Sequence, residues 1–377
     1  MGSEDKLTIN DWLLNISTLL YVISLLGVVP YLPRYAIGFG ASEAEVSMLA
    51  TSYAITAIGV RFIAGGLNDR GYASYLMFLG SILNILSLII YSIAVNLQII
   101  YIGRLVQGIS IALFIPASLY SASITGVRAQ KVIVWRSTMW GLGSVIGPAL
   151  LGLILQWWSW RGLFYTAAIT SILAAVLSLA FKSEEVRKGG GDSGTILTKP
   201  FILASLTLLV YVIGYQSLTY FLPSLHEIEK LPPTETATFF TIMAIANLTS
   251  RIILSILKEF NPRKTALIGS ITSIIGYMVI AIKPQGLEAV IAAILIGIGL
   301  GLLLPSLQVI SLLGVPENRR GIASSIYTAM FDLGALIGPP IVITIAGSYK
   351  ESLTISTLII AITITLIIAV KPKEGKP

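Results

Sequence analysis

Hydrophobic stretches of about 18 residues or more recur along almost the whole chain and are separated by short polar segments. A stretch of this length can cross the hydrocarbon core of a bilayer as an α-helix. The ten-residue alternation that is typical of membrane β-barrels is absent from the sequence, and in lipid this leaves a helical bundle. We therefore predict an all-α membrane protein with twelve transmembrane helices. The predicted spans are 11–36, 43–67, 74–95, 98–122, 127–155, 160–181, 200–225, 234–257, 263–282, 287–313, 319–347 and 351–370.

The composition agrees with a membrane protein. Of the 377 residues, 55% are hydrophobic and 11% are charged, whereas soluble proteins carry about 25% charged residues. The formal net charge is +7, but the basic residues are scattered through short loops, so we expect no nucleic-acid partner. The chain has no cysteine, which excludes disulfides, thiolate metal sites and a cysteine nucleophile.

The distribution of Lys and Arg predicts the orientation, because cytoplasmic loops of membrane proteins carry an excess of both. With both termini on one side, that side collects 16 of the 25 basic residues, the other side has 5, and 4 lie inside spans. We therefore expect a multi-pass protein of the plasma (cytoplasmic) membrane with both termini in the cytoplasm.

A shift of about 190 residues relates the two halves of the sequence. Arg61 matches Arg251 at a shift of 190, and the phrase "IGPALLG" from Ile146 returns as "IGPPIVI" from Ile337. Each half has an even number of spans, which predicts two parallel six-helix repeats. The predicted domains are an N-terminal bundle over 1–182, a polar, glycine-rich cytoplasmic linker over 183–198, and a C-terminal bundle over 199–377.

Three motifs resemble those of the major facilitator superfamily. "GGLNDRG" (65–71) resembles that family's loop between spans 2 and 3, although its usual aromatic and basic tail are missing. "GRLVQG" (103–108) resembles its R-x-x-Q-G motif, and "GLGSVIGPALLG" (141–152) resembles the glycine-proline motif of its antiporters. The resemblance covers nearly the whole chain and is closest to the twelve-helix drug/proton antiporters. It implies the major facilitator fold and alternating access, with a substrate site between two bundles near the midplane.

The resemblance and the repeat together predict a latch at the cytoplasmic end of span 2. The carboxylate of Asp69 is suited to the N-terminus of span 11, because a helix N-terminus carries partial positive charge. Arg61 and Arg251 lie about two turns inside their spans, where they either snorkel or support the latch, and substrate contact is the alternative. The predicted latch residues are Gly65, Asp69, Arg70, Arg61, Arg251 and Glu259.

Asp332 and Arg104 are the candidates for proton coupling. Asp332 is the only acidic residue in the middle of a span, and the repeat places Gly141 at the corresponding position. Burial disfavours the charged form of a carboxyl group, which suits a proton carrier. The alternative is an ion pair with Arg61 or Arg104. A charge within the bilayer is unfavourable unless it is paired or hydrated, and the resemblance implies proton coupling or domain packing for Arg104.

Other polar side chains in the spans are candidates for contact with a substrate. The superfamily lines its cavity with spans 1, 4, 7 and 10, and packing is the alternative role for each tyrosine. The candidate cavity residues are Tyr21, Gln107, Arg136, Tyr211, Tyr215, Gln216, Gln308 and Tyr327. His226 is the only histidine, and we interpret it as part of a solvated helix end rather than a metal or pH-sensing site.

The doubled phrase on spans 5 and 11 predicts close helix packing, because small residues let membrane helices approach one another. On a helical wheel Asp332 lies about 160° from Gly334, so we expect it to point away from the packed face. The predicted packing residues are Gly143, Gly147, Pro148, Gly334, Gly338 and Pro339.

The sequence therefore predicts a secondary transporter. A nucleotide-binding loop of the G-x-x-x-x-G-K-[ST] type is absent, so an ion gradient must supply the energy. We expect proton-coupled export of amphipathic, drug-like small molecules, driven by the proton gradient and without a cofactor. The alternative is proton-coupled or facilitated transport of an organic anion, because embedded arginines outnumber the embedded acid four to one. We expect a monomer in the lipid bilayer and no enzymatic activity, since paired catalytic groups are missing.

Overall fold

The computed structural model describes residues 6–181, 195–257 and 259–370, so most of the predicted linker lies outside the described residues. The described parts of the chain contain helices and no strands. The α-helices are α1 (Ile9–Val28), α2 (Leu32–Ile37), α3 (Glu43–Asn68), α4 (Ala73–Ser92), α5 (Leu97–Ser123), α6 (Ala129–Trp157), α7 (Trp160–Ala180), α8 (Lys199–Ile228), α9 (Pro233–Ile256), α10 (Pro262–Ile282), α11 (Gly286–Leu313), α12 (Arg320–Ala346) and α13 (Tyr349–Ala369).

All twelve predicted spans are helical, and the all-α membrane fold is confirmed. Within the described residues, eleven helical segments are long and apolar enough to cross a membrane, and α3, with 26 residues, corresponds to the remaining predicted span. The first span is α1 and α2 joined by a 3-10 turn at Val29–Tyr31. Pro30 and Pro33 account for this interruption, because proline lacks the N–H that continues an α-helix.

Capping side chains set the starts of several helices. Thr8 and Asp11 form a capping box at α1, and Ser42 and Glu45 form another at α3. In each box the hydroxyl accepts a hydrogen bond from a main-chain N–H in the first turn, while the acidic side chain accepts from the cap residue. These pairs satisfy N–H groups that the helix itself leaves without partners.

The chain forms two compact units. The first comprises Met1–Gly194 together with Pro316–Thr328, and the second comprises Thr195–Val315 and Ala329–Pro377. In the first unit α1 packs on α6 and α7, α4 packs on α5 and α7, and α3 packs on α5. In the second unit α8 packs on α13, α10 packs on α11 and α13, and α9 packs on α11. The corresponding helices therefore pair in both units, as the internal repeat predicts.

The glycines of the doubled phrase lie where helices touch. A Cβ atom on Gly143 of α6 would lie 2.8 Å from Cγ1 of Val22 on α1. In the second unit a Cβ on Gly338 of α12 would lie 2.9 Å from Cα of Ile213 on α8. Each copy of the phrase thus packs against the first long helix of its own repeat, at distances that a larger side chain would not permit. Gly147, Pro148, Gly334 and Pro339 complete the two phrases on α6 and α12.

Candidate functional site

Asp69 caps the start of α12. It is the residue that follows α3, and its Oδ1 accepts a 2.6 Å hydrogen bond from the main-chain N–H of Gly321. Its Oδ2 accepts a 3.1 Å hydrogen bond from the N–H of Ile322. These N–H groups belong to the first turn of α12, which lacks internal partners and carries partial positive charge. All three residues belong to the first unit.

Burial raises the pKa of the Asp69 carboxyl to about 6, from an ordinary value of 3.8. The hydrogen bonds from Ile322 and Gly321 and the charge of Arg319 act in the opposite direction, because they favour the carboxylate. The removal of the carboxyl from water is the larger effect. The proton affinity of Asp69 therefore depends on whether α12 covers it.

Gly65 permits the close approach of α12 to α3. A Cβ atom at this position would lie 2.9 Å from Cα of Ile322 and 2.9 Å from Oγ of Ser325. Ile322 Cα belongs to the helix backbone, so a larger residue at position 65 would displace the start of α12. Gly65 and Asp69 thus act on the same helix end, one by leaving room and the other by binding.

Two of the predicted latch residues do not take part in this contact. Arg70 is exposed, and the arginine whose charge acts on Asp69 is Arg319. Glu259, the counterpart of Asp69 in the repeat, is also exposed, and no hydrogen bond or ion pair joins it to another described residue. The reason is local, because α9 ends at Ile256 and continues into extended backbone at Leu257. Arg70 and Glu259 are therefore not part of the Asp69 contact, and their role in a latch stays a prediction.

Arg61 and Arg251 do not snorkel to the membrane surface, because they are only 2% and 4% exposed. Tyr21 and Tyr211 are fully buried. They are 190 residues apart, as are the two arginines. The repeat therefore preserves one buried tyrosine and one buried arginine in each unit, and the shift applied to tyrosines would have revealed the first of these.

Each of these tyrosines is bound inside its own bundle. The Tyr21 hydroxyl lies 2.7 Å from Oγ of Ser110, and its ring stacks on Phe114 with the centroids 3.7 Å apart. The Tyr211 hydroxyl lies 3.0 Å from Oγ of Ser273. Their surroundings fit packing, the alternative that the sequence left open, better than contact with a substrate.

Arg104 and Gln107 form a buried polar cluster in the first unit. Arg104 Nη1 donates a 2.7 Å hydrogen bond to Gln107 Oε1, and its Nε donates a 3.0 Å hydrogen bond to the carbonyl of Leu49. The Tyr91 hydroxyl donates to the same Gln107 oxygen at 3.1 Å. The guanidinium also lies 4.8 Å from the ring centroid of Tyr53, in a cation–π contact. The R-x-x-Q-G motif thus links α5 to α3 and α4.

Arg136 lies between α6 and α5 and is 2% exposed. Its Nε donates a 2.9 Å hydrogen bond to Oγ of Ser118, and its Nη2 donates a 3.1 Å hydrogen bond to the carbonyl of Ile115. The carbonyl and the hydroxyl compensate part of the unfavourable transfer of this charge out of water.

The remaining candidates differ in burial. Asp332, in the part of α12 that belongs to the second unit, is 4% exposed, and Tyr327 is 2% exposed. Tyr215, Gln216 and Gln308 are half-buried in the second unit. The candidates that retain some exposure are therefore Tyr215, Gln216 and Gln308.

One ion pair was not predicted from the sequence. It lies at the end of the first unit that we predict to face the cytoplasm. Arg128 Nε lies 3.1 Å from Oδ2 of Asp11, and the carboxylate is 1% exposed. The repeat aligns Arg128 with Arg319 at a shift of 191, and Asp11 with the apolar Phe201 at a shift of 190. The two aligned arginines thus have different acidic neighbours, since the charge of Arg319 acts on Asp69.

The interpretation of His226 as a solvated helix end is wrong. The side chain is 2% exposed, and both ring nitrogens have partners. Nε2 lies 2.6 Å from the carbonyl of Pro284, which requires an N–H at this nitrogen, and Nδ1 lies 2.7 Å from the Thr236 hydroxyl. His226 therefore joins α8 to the start of α9 and to the loop before α11.

Comparison with known proteins places this arrangement in a family. The model of the Major Facilitator Superfamily matches residues 14–339 and 255–377. The chain is similar to the class G tetracycline resistance protein of Vibrio anguillarum, with 25% identity over 336 residues that cover 84% of each chain. It is also similar to the quinolone resistance protein NorB of Staphylococcus aureus, strain Newman, with 30% identity over 214 residues. That match covers 55% of this chain and 45% of NorB.

Solved structures show the same fold at low identity. The human organic anion transporter MFSD10 (TETRAN) superimposes with a TM-score of 0.79 at 12% identity, covering 95% of this chain and 98% of the other. The transporter FucP in its outward conformation gives a TM-score of 0.78 at 15% identity, covering 97% and 99%. The chain belongs to the Major Facilitator Superfamily, and it is a multi-pass membrane transporter rather than an enzyme.

Proposed function

We propose that this protein exports amphipathic, drug-like small molecules by proton antiport. The observation that carries the proposal is the similarity to a tetracycline resistance protein over 84% of both chains. The partial similarity to a quinolone resistance protein supports the same substrate class. In this proposal the protein works as a monomer in the plasma membrane, with both termini in the cytoplasm and the proton gradient as its energy source.

Asp332 is the proposed proton carrier. Its carboxyl group is buried in the middle of a membrane-spanning helix, where the charged form is disfavoured relative to water. Proton uptake from the acidic side and release to the cytoplasm would then alternate with substrate movement. Arg104 is the proposed supporting residue, because its positive charge is buried and is held by hydrogen bonds to Gln107 and to the carbonyl of Leu49.

The Asp69 contact is the proposed cytoplasmic latch. It holds the start of α12 against the end of α3 through two hydrogen bonds to a charged acceptor. Hydrogen bonds to an ionised group are stronger than neutral ones, so their loss in one part of the transport cycle has a sizeable energetic effect.

Transport by purified protein in proteoliposomes tests the proposal. We expect an imposed pH gradient to drive tetracycline or quinolone movement in the wild type and not in Asp332→Asn. Counterflow of the same compound without a gradient should persist in the variant, because it requires no net proton movement. Equal gradient-driven flux in both proteins would show that Asp332 does not carry the coupled proton. The absence of flux with every compound would show that drug-like molecules of this class are not substrates.

Transport of an organic anion is the second candidate. Four arginines lie inside the predicted spans and are each at most 4% exposed, whereas Asp332 is the one acidic residue in the middle of a predicted span. An excess of fixed positive charge favours a substrate with negative charge. Counterflow with a matched pair of compounds, one carboxylate and one neutral amide, distinguishes the candidates, since preference for the carboxylate favours the second.

A further inference from the structure

The start of α12 makes a second set of contacts, on the C-terminal end of α5. Arg320, the first residue of α12, donates a hydrogen bond from Nη1 to the carbonyl of Ser123, the last residue of α5. One turn further along α12, Oγ of Ser324 lies 3.0 Å from the carbonyl oxygen of Pro116 and 2.8 Å from that of Gly321, so its single proton is shared between the two acceptors. Arg320 is 8% exposed and Ser324 is fully buried. All of these residues belong to the first unit.

These contacts mirror the contact of Asp69 in their chemistry. The last carbonyl groups of a helix lack internal partners and carry partial negative charge, which a guanidinium neutralises. Arg320 therefore acts on the C-terminal end of α5 as Asp69 acts on the N-terminal end of α12. The carboxylate of Asp69 contacts the positive N-terminal end of α12, and the guanidinium of Arg320 contacts the negative C-terminal end of α5. The residues of α12 that make these two contacts lie within two positions of each other.

The repeat shows that this arrangement occurs in only one copy. At the shift of 191, Arg320 corresponds to Ala129 and Ser324 corresponds to Ile133. Neither of those side chains can donate a hydrogen bond. The exposed Glu259 likewise lacks the contact that Asp69 makes. Packing common to both repeats does not require Arg320 or Ser324, so a role specific to the start of α12 must account for them.

We propose that Arg320 is a further gating residue and that it forms, with Asp69, a two-ended latch on the segment Arg320–Thr328. Ser324 positions the segment by its hydrogen bond to α5. The segment leaves the first unit only when both charged contacts break, so each contact adds to the stability of the latched state. This inference rests on the proposed transport function, because a latch has a purpose only where the segment moves.

The absence of native cysteine allows a direct test by labelling a single introduced thiol. Ser325 is 1% exposed, lies against Gly65, and its Oγ has no hydrogen-bond partner among the described residues. Ser325→Cys therefore removes no described hydrogen bond and places the thiol on the buried side of the latched segment, against Gly65. The rate of its alkylation by a hydrophilic maleimide, measured in nanodiscs and normalised to denatured protein, reports how often the segment is released.

We expect Arg320→Ala to accelerate alkylation by about three- to tenfold, as loss of a charge-assisted hydrogen bond implies. Arg320→Lys should restore most of the protection, since it retains one positive donor. Ser324→Ala should have a smaller effect, about twofold.

Arg263→Ala is the matched control, because Arg263 Nε donates to the carbonyl of Ile367 at the end of α13, within the second unit. It should leave the rate unchanged. A wild-type rate in Arg320→Ala, or equal acceleration by Arg263→Ala, would overturn the inference.

The alkylation assay needs no substrate, so it separates this inference from the proposed function. If no compound is transported but Arg320→Ala still exposes the introduced thiol and Arg320→Lys restores protection, the latch stands and the substrate assignment fails. If transport is present and the thiol stays protected in every variant, Arg320 has no gating role. A second readout is the initial transport rate, which Arg320→Lys should restore together with the protection.

Discussion

Asp69 and Gly321 are 252 positions apart in the sequence, yet their carboxylate oxygen and main-chain N–H lie 2.6 Å apart. The contact joins the loop of the first repeat to the beginning of α12, a helix of the second repeat. Its strength follows from the helix end, where several N–H groups point at one charge.

Asp69→Ala should weaken the latch, because it removes the carboxyl group that accepts the hydrogen bonds of the Gly321 and Ile322 N–H groups. The expected loss is about 1 kcal/mol, within the range for one hydrogen bond. In the Ser325→Cys background this corresponds to an approximately fivefold increase in alkylation of the introduced thiol. Glu259→Ala is the control from the other repeat, and it should have no effect since Glu259 is exposed. Equal effects of both substitutions would show that the contact seen at Asp69 has no special role.

The latch should tighten as the pH falls. Asp69 has a pKa of about 6 when α12 covers it, and an ordinary value of 3.8 applies when it is released into water. The latched state therefore binds a proton more tightly, so its added stability is complete below pH 3.8 and is lost as the pH rises through about 6. Because Asp69 is only half-buried, we expect about two- to threefold slower alkylation near pH 5.5 than near pH 7.5.

That pH effect has a specific control. Normalisation to denatured protein removes the change in thiolate reactivity, and Asp69→Asn removes the titrating carboxyl. We expect the normalised rate of Asp69→Asn to be independent of pH over this range. A pH dependence that persists unchanged in the variant would assign the effect to another group.

Gly147→Ala should destabilise the first unit. A Cβ at this position would lie 2.8 Å from the carbonyl oxygen of Ile23 and 3.0 Å from Cα of Gly27, so α1 and α6 would have to separate. Overpacking of this kind costs about 1–3 kcal/mol, and thermal unfolding in detergent would measure it. Gly59→Ala is the matched control, because nothing lies within 4 Å of its added Cβ. It should leave the stability unchanged or raise it, since alanine favours the helix.

His226→Leu should destabilise the second unit by about 1–3 kcal/mol, because it leaves the buried carbonyl of Pro284 without its donor. The measurement is the midpoint of thermal unfolding. Glu229→Gln, at a nearby exposed position, should leave the midpoint unchanged. If His226→Leu unfolds like the wild type, water must replace both hydrogen bonds of the imidazole.

The sequence by itself determined the class of fold and the internal repeat. Hydrophobic length decides whether a segment spans a bilayer, and this property depends on the segment alone. The shift of 190 residues likewise requires no coordinates, and it identified α6 and α12 as copies of one packing element. The glycines of these helices were predictable because close helix approach needs small residues whatever the partner.

Only the tertiary structure decided which polar groups meet. Asp69 and Glu259 look equivalent in the sequence, but α9 ends early and leaves Glu259 exposed, while Asp69 binds α12. The sequence does not show that the guanidinium of Arg320 binds the carbonyl of Ser123. It also does not show that the imidazole of His226, predicted to be solvated, contacts Thr236 and Pro284. Contacts of this kind depend on the positions of the ends of different helices relative to one another. The hydrophobic pattern is the same in every span, so it does not predict which helix ends come together.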